Sequence, residues 1–140
     1  MQLNIKRLAF NAILPSYSHD GDAAMNLHTV ETAILQPGDR KVFRTGIAMS
    51  IPAGYAGLIW DRSGLATKSG LKVLGGVIDS GYRGEIGVGL VNLSSDAIEI
   101  KACDNIAQML IQEIKQPLLV EVEELDSTSR GEDGFGSTGR

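Results

Sequence analysis

At 140 residues, with a net charge of −4 and an isoelectric point near 5.1, the chain suits one domain with a real core and lacks the basic face of nucleic-acid binders. Its single cysteine, Cys103, excludes an intrachain disulfide, and no apolar run approaches the roughly 18 residues of a membrane-spanning helix. The opening Met1-Gln2-Leu3-Asn4-Ile5-Lys6-Arg7 has no signal-peptide core. The expectation is a soluble, intracellular, cytoplasmic protein that engages neither nucleic acid nor membrane.

Along the chain the apolar period is mostly two, the signature of strands. Residues 30–35 read as one strand that stops at Pro37-Gly38-Asp39, and residues 41–51 as another that stops at Pro52-Ala53-Gly54. Residues 55–60 follow as a short strand, and the one helical candidate is a brief segment after Ser63. Asp79-Ser80-Gly81 is a turn-forming trio between two strand-forming runs, which predicts a hairpin with a carboxylate at its bend. Ile86, Val88 and Leu90 alternate with Glu85, Gly87 and Gly89; Ile98 and Ile100 alternate with Glu99 and Lys101; residues 106–114 form a longer apolar run. Residues 118–123 read as a last strand, and Cys103 is expected to be a buried, unreactive thiol. The pattern predicts an all-β, jelly-roll-like barrel or sandwich with one short helix over residues 1–123. Residues 124–140 hold only Leu125 and Phe135 as sizeable apolar side chains, so they are expected to form a flexible C-terminal arm.

Several stretches carry chemistry beside an ordinary structural reading. Gly75 and Gly76 open the backbone to a planar ligand, Tyr82 offers a ring and Asp79 a carboxylate, although Asp79-Ser80-Gly81 alone is equally a surface turn. Arg62-Ser63-Gly64 opens the helix, where unpaired amides favour phosphate, or is simply its cap. Gln108 interrupts an apolar strand as either an outward-facing residue or a buried amide with a partner. The end of the chain is either a tail without a role or a closing segment. In the second case its glycines expose amides to phosphate oxygens, Phe135 stacks on a base and Arg130 supplies a charged fork. His19 and His28 lack metal-ligand spacing and read as surface or structural residues.

Five segments, taken in order, resemble the motifs of the trimeric dUTPases across nearly the whole chain. They are Asp22-Ala23-Ala24-Met25-Asn26-Leu27, Arg62-Ser63-Gly64-Leu65-Ala66, the stretch 75–84 with Ile78-Asp79 and Tyr82-Arg83-Gly84, Asp104-Asn105-Ile106-Ala107-Gln108, and Arg130 with Gly134-Phe135-Gly136-Ser137-Thr138-Gly139. The resemblance implies hydrolysis of dUTP to dUMP and diphosphate, with Mg2+ on the triphosphate. Asp79 would activate the water that attacks the α-phosphorus and touch the sugar 3′-hydroxyl. Ser63 would meet the leaving phosphate oxygen, Arg62, beside Gly64, would contact the phosphates, and Gln108 would hold phosphate and water. The backbone of Gly76, Val77 and Ile78 would read uracil, and Tyr82 would pack under the sugar where a 2′-hydroxyl clashes. Arg130, Phe135, Gly136, Ser137 and Thr138 would close over the nucleotide. The resemblance also implies a homotrimer in which each site takes its hairpin from one chain, Arg62, Ser63 and Gln108 from a second, and its arm from a third.

Four positions depart from that pattern: Asn26 for a usual aspartate, Asp61 for proline, and Cys103 and Asp133 for glycine. A neutral amide at 26 can hydrogen-bond a metal-bound water but adds no charge, so weaker magnesium support is expected. Asp133 adds an anion near the expected phosphates. Two other classes share the scaffold. A dCTP deaminase needs a glutamate where this chain has Gly89, and a non-catalytic nucleotide sensor is compatible with Asn26 and Asp133.

Overall fold

The computed structural model describes residues 1–134, in which ten strands and one helix follow the chain. They are β1 (Asn4–Arg7), β2 (Met25–His28), β3 (Ala33–Leu35), β4 (Arg40–Ser50), β5 (Tyr55–Trp60), α1 (Ser63–Ser69), β6 (Leu71–Leu74), β7 (Val77–Ile78), β8 (Glu85–Asn92), β9 (Ile98–Ile100) and β10 (Asn105–Glu113). One antiparallel sheet has the order β1-β4-β8-β6 and the other β2-β10-β5-β7, with β3 and β9 pairing as a separate ribbon. This is the all-β jelly-roll architecture that the period-two pattern predicts. No helix among the described residues is long and apolar enough to cross a membrane.

The core follows from alternation. In β8, Ile86, Val88, Leu90 and Asn92 point inward while Gly87 and Gly89 face out. They pack with Phe43 and Ile47 of β4 against Leu27, Ile59, Ile106 and Met109 of the other sheet, and each fully buried aliphatic or aromatic side chain contributes about 1.5–3 kcal/mol. The one large polar group in this layer, Asn92, is satisfied at both ends. Its Nδ2 donates to Leu35 O (3.0 Å) and Asp96 O (2.7 Å), and its Oδ1 accepts from Ser94 N (2.9 Å).

Between Arg44 and Ala48 the β4–β8 register shifts at a bulge. The Glu85 carboxylate holds it, accepting from Gly46 N (2.8 Å) and Arg44 Nε (3.1 Å). Residue 46 has to be glycine, because its φ is +69° and a Cβ there would sit 2.8 Å from Ala12 Cβ. The strand expected from residue 30 starts only at Ala33, because Val30 N and Thr29 Oγ1 bond Arg44 O at this bulge.

Three further expectations are corrected. Asp79-Ser80-Gly81 does not close a hairpin: β7 pairs with β5, whereas β8 pairs with β4 and β6 in the opposite sheet. Gly75 and Gly76, at φ +71° and +109°, carry the chain from β6 on the edge of one sheet to β7 on the edge of the other, and the Asp79 turn carries it back. Residues 118–123 form no strand; Leu118, Leu119, Val120 and Val122 are exposed, because a strand-forming pattern needs a ladder partner and neither sheet supplies one. Cys103 is exposed, not buried, because it occupies the left-handed position (φ +74°) of a turn closed by Asp104 N to Lys101 O (3.0 Å).

That backbone strain gives a direct test. Cys103→Gly relieves a left-handed β-carbon at the cost of some unfolded-state entropy, so the variant should be more stable by roughly 0.5–1 kcal/mol, read as an upward shift in Tm. An unchanged or lower Tm would show that the turn carries no such strain.

Candidate functional site

The outer face of the second sheet carries the site. Because side chains alternate along each strand, the β2–β10–β5 pairing sets Asn26, Gln108 and Trp60 side by side in one cross-strand row. Leu58, Leu110 and Gln112 extend the same face, and the start of α1 rises beside it. Together they border a cleft of about 830 Å3. Arg62, Ser63, Gly64, Ser18 and Asp22 also line it.

The corner from β5 into α1 is tied from three directions. Gln108 Nε2 donates to Asp61 O at 2.8 Å, so the residue faces outward, half-buried, and still has a partner. The Asp61 carboxylate accepts from Val73 N and from Lys72 Nζ, each at 2.6 Å. Arg62 Nη1 donates to Asn105 O at 3.1 Å. Arg62 itself is extended (φ −80°, ψ 127°) and makes no side-chain cap, so the first amides of α1 have no intrahelical partner and stand at the cleft wall. One guanidinium and a set of unpaired amides on a polar wall suit an anion.

Asn26 lies at the β2 end of the row, its amide 2.7 Å from the Ser18 hydroxyl. His28, two residues on, has its Nδ1 buried without a hydrogen-bond partner among the described residues. Burial, and then the positive charge of Arg62, hold its pKa below the ordinary histidine value. His19 borders the cleft, its main-chain N donating to Asp22 Oδ2 at 2.9 Å.

The structure thus brings Asn26, Arg62, Ser63, Gly64 and Gln108 into one cleft and leaves Gly76, Val77, Ile78, Asp79, Tyr82 and Arg130 outside it. Gly76 and Val77 border a separate hollow of about 150 Å3, and Ile78 packs against the core. Asp79 and Tyr82 are on the turn between the sheets and line neither space. Tyr82 Oη donates to Glu85 O (2.9 Å), and the ring lies over Gly84, where an added Cβ would clash with Oη. Arg130 Nε donates to Asp133 O (2.8 Å), while Phe135, Gly136, Ser137 and Thr138 lie outside the described residues. Ser18, Trp60 and the tethering role of Asp61 were missed from sequence. Only Trp60, a lone tryptophan directly before Asp61-Arg62-Ser63, carried a signal.

The fold and cleft define a jelly-roll protein with a polar cleft, lined by Arg62 and the start of α1, on one sheet face. The family model for dUTPase matches residues 11–139, and the chain belongs to the dUTPase family. It is 49% identical to the deoxyuridine 5′-triphosphate nucleotidohydrolase of Nautilia profundicola, covering 100% of both chains, and 48% identical to that of Clostridium kluyveri, covering 99% of both. Among solved structures it superposes with a TM-score of 0.93 on the dUTPase of Staphylococcus bacteriophage 80alpha bound to dUpNHpp, at 34% identity and 99% coverage of each chain. A mutant dUTPase of phage phi11 of S. aureus, described with a structural Mg(II) ion, matches at a TM-score of 0.85 and 31% identity, covering 91% of this chain and 100% of that one.

The histidine offers a test of the site's electrostatics. Since the folded pKa lies below the unfolded value, the unfolded chain takes up the proton first as pH falls, so stability is lost on acidification below about pH 6.5. His28→Gln should make the Tm fall less steeply between about pH 7 and pH 5 than wild type. Parallel profiles would mean that His28 titrates alike in both states.

Proposed function

We propose that this chain is a dUTP diphosphatase that hydrolyses dUTP to dUMP and diphosphate in the cytoplasmic nucleotide pool. The observation that carries the reading is the cleft where Arg62, Ser63, Gly64, Gln108 and Asn26 converge, in a chain aligned end to end with deoxyuridine 5′-triphosphate nucleotidohydrolases. In this reading Asp79 is the general base. A water oxygen bonds to the α-phosphorus, its proton passes to Asp79, and the bond from that phosphorus to the bridging oxygen breaks to release diphosphate. Arg62 and the first amides of α1 stabilise charge on the phosphates, Ser63 meets the leaving oxygen, and Gln108 holds phosphate and water.

Uracil selection falls to Gly76, Val77 and Ile78. β7 has β5 on one side and no further strand on the other among the described residues, so its outer main-chain edge suits the acceptor-donor-acceptor face of uracil. Tyr82 packs under the deoxyribose. The deaminase alternative lacks its carboxylate, since Gly89 stands where that reaction needs a glutamate.

No group of three or more His, Cys, Asp or Glu able to hold a metal directly occurs among the described residues. The oxygen-rich wall of Ser18, Asp22 and Asn26 beside Arg62 fits Mg2+ that arrives on the triphosphate and keeps its waters. When bound, the ion neutralises phosphate charge, and Asn26 would hydrogen-bond its water shell. The separation of the Asp79 turn from the Arg62 cleft supports a homotrimer with sites shared between chains, and residues 124–140 as an arm that reaches a neighbour's site through Arg130, Phe135, Gly136, Ser137 and Thr138.

Incubation with dUTP and Mg2+ should yield dUMP and diphosphate in equal amounts, with no ammonia. Asp79→Asn should lower kcat by about two to four orders of magnitude while dUTP still binds. A variant within about threefold of wild type would remove Asp79 from the role of base, and absence of dUMP would leave the sensor reading.

A further inference from the structure

We propose that Asn105 is a positioning residue for the cleft, holding Asn26 through its side chain and Arg62 through its main-chain carbonyl. It opens β10 opposite His28, and the next paired residue, Ala107, faces Leu27, so Ile106 is the extra residue of a bulge. At this bulge the Asn105 amide turns back on the sheet. Its surroundings assign Nδ2 toward Leu27 O (3.2 Å) and Ala107 O (3.0 Å), which leaves Oδ1 2.8 Å from the position of Asn26 Oδ1. The opposite assignment would set the amide oxygen against two carbonyls.

The direction of the Asn105 amide dictates chemistry at position 26. With an acceptor aimed at it, residue 26 has to donate, so the Asn26 amide turns as well: Nδ2 takes the position 2.8 Å from Asn105 Oδ1 and Oδ1 the position 2.7 Å from the Ser18 hydroxyl, the reverse of the orientation in which Nδ2 faces Ser18. Both amides are then satisfied, whereas a carboxylate at 26 would set acceptor against acceptor. The amide that stands where the family has aspartate is thus matched to the amide at 105. Asn105 does not border the main cleft. It borders a smaller hollow of about 350 Å3 behind Arg62, so it acts on a ligand only through Asn26 and through Arg62, whose Nη1 bonds its carbonyl.

The test has a stability arm and a kinetic arm, and only the second rests on the dUTP reading. Asn26→Asp should lower Tm in the wild-type background and by less than half as much in an Asn105→Ala background; Asn105→Ser replaces Ala should that chain not fold. With dUTP and Mg2+, Asn105→Ala should raise KM and the Mg2+ concentration for half-maximal rate by about three- to tenfold, with a smaller change in kcat. The same change should add nothing further in an Asn26→Ala background. Equal Tm losses in the two backgrounds, or kinetic effects that multiply independently, would overturn the proposal. A chain that turns over no dUTP would sink the proposed function while the Tm comparison still decides the pairing.

Discussion

The corner at Asp61 and Arg62 is the constraint on which the rest of the site depends. Bonds from three directions fix it: Gln108 from β10, the Val73 amide and Lys72 from β6, and Arg62 reaching back to Asn105. A half-exposed ion pair such as Lys72–Asp61 adds little by itself, on the order of 0–1 kcal/mol, but the main-chain bond to Val73 N fixes the carboxylate whatever the salt. Because the corner is fixed, the unpaired amides of α1 keep one direction relative to the Asn26–Gln108–Trp60 row. An anion in the cleft therefore meets donors that need no rearrangement, which is the condition for electrostatic stabilisation of a phosphoryl transition state.

The second consequence comes from the crossover. Left-handed Gly75 and Gly76 move the chain between sheet edges, and Gly76 lies so close to β5 that an added Cβ would be 2.7 Å from Ile59 O. The Asp79 turn, between β7 and β8, does not line the cleft that carries Arg62. In the proposed reading, one chain offers the phosphate wall without its base, and the base without its phosphate wall. Closed symmetry among copies is the simplest way to bring the two together.

Much of this was legible in the sequence wherever period two carried it. The strand over residues 55–60, the inward row of Ile86, Val88 and Leu90, and the short helix after Ser63 follow from local pattern. The hairpin that local pattern predicted at Asp79 does not form, because strand partners are chosen by tertiary pairing and a turn-forming trio serves equally between two sheets. Cys103 looked inward by its chemistry and faces outward because its backbone sits at a turn. The Asn26–Asn105 pair left no trace either, since two amides so distant along the chain show no periodicity; only the register of β2 on β10 joins them.

The central claim, a site completed between copies, is tested most directly by mixing two inactive variants, Asp79→Asn and a chain ending before Arg130. If the Asp79 turn and the arm come from different chains, random exchange in equal amounts pairs an intact turn with an intact arm at one half times one half, or about a quarter, of sites. Mixtures should then recover on that order of wild-type dUTP hydrolysis. Activity no higher than either parent, in mixtures shown to exchange subunits, would contradict the shared site.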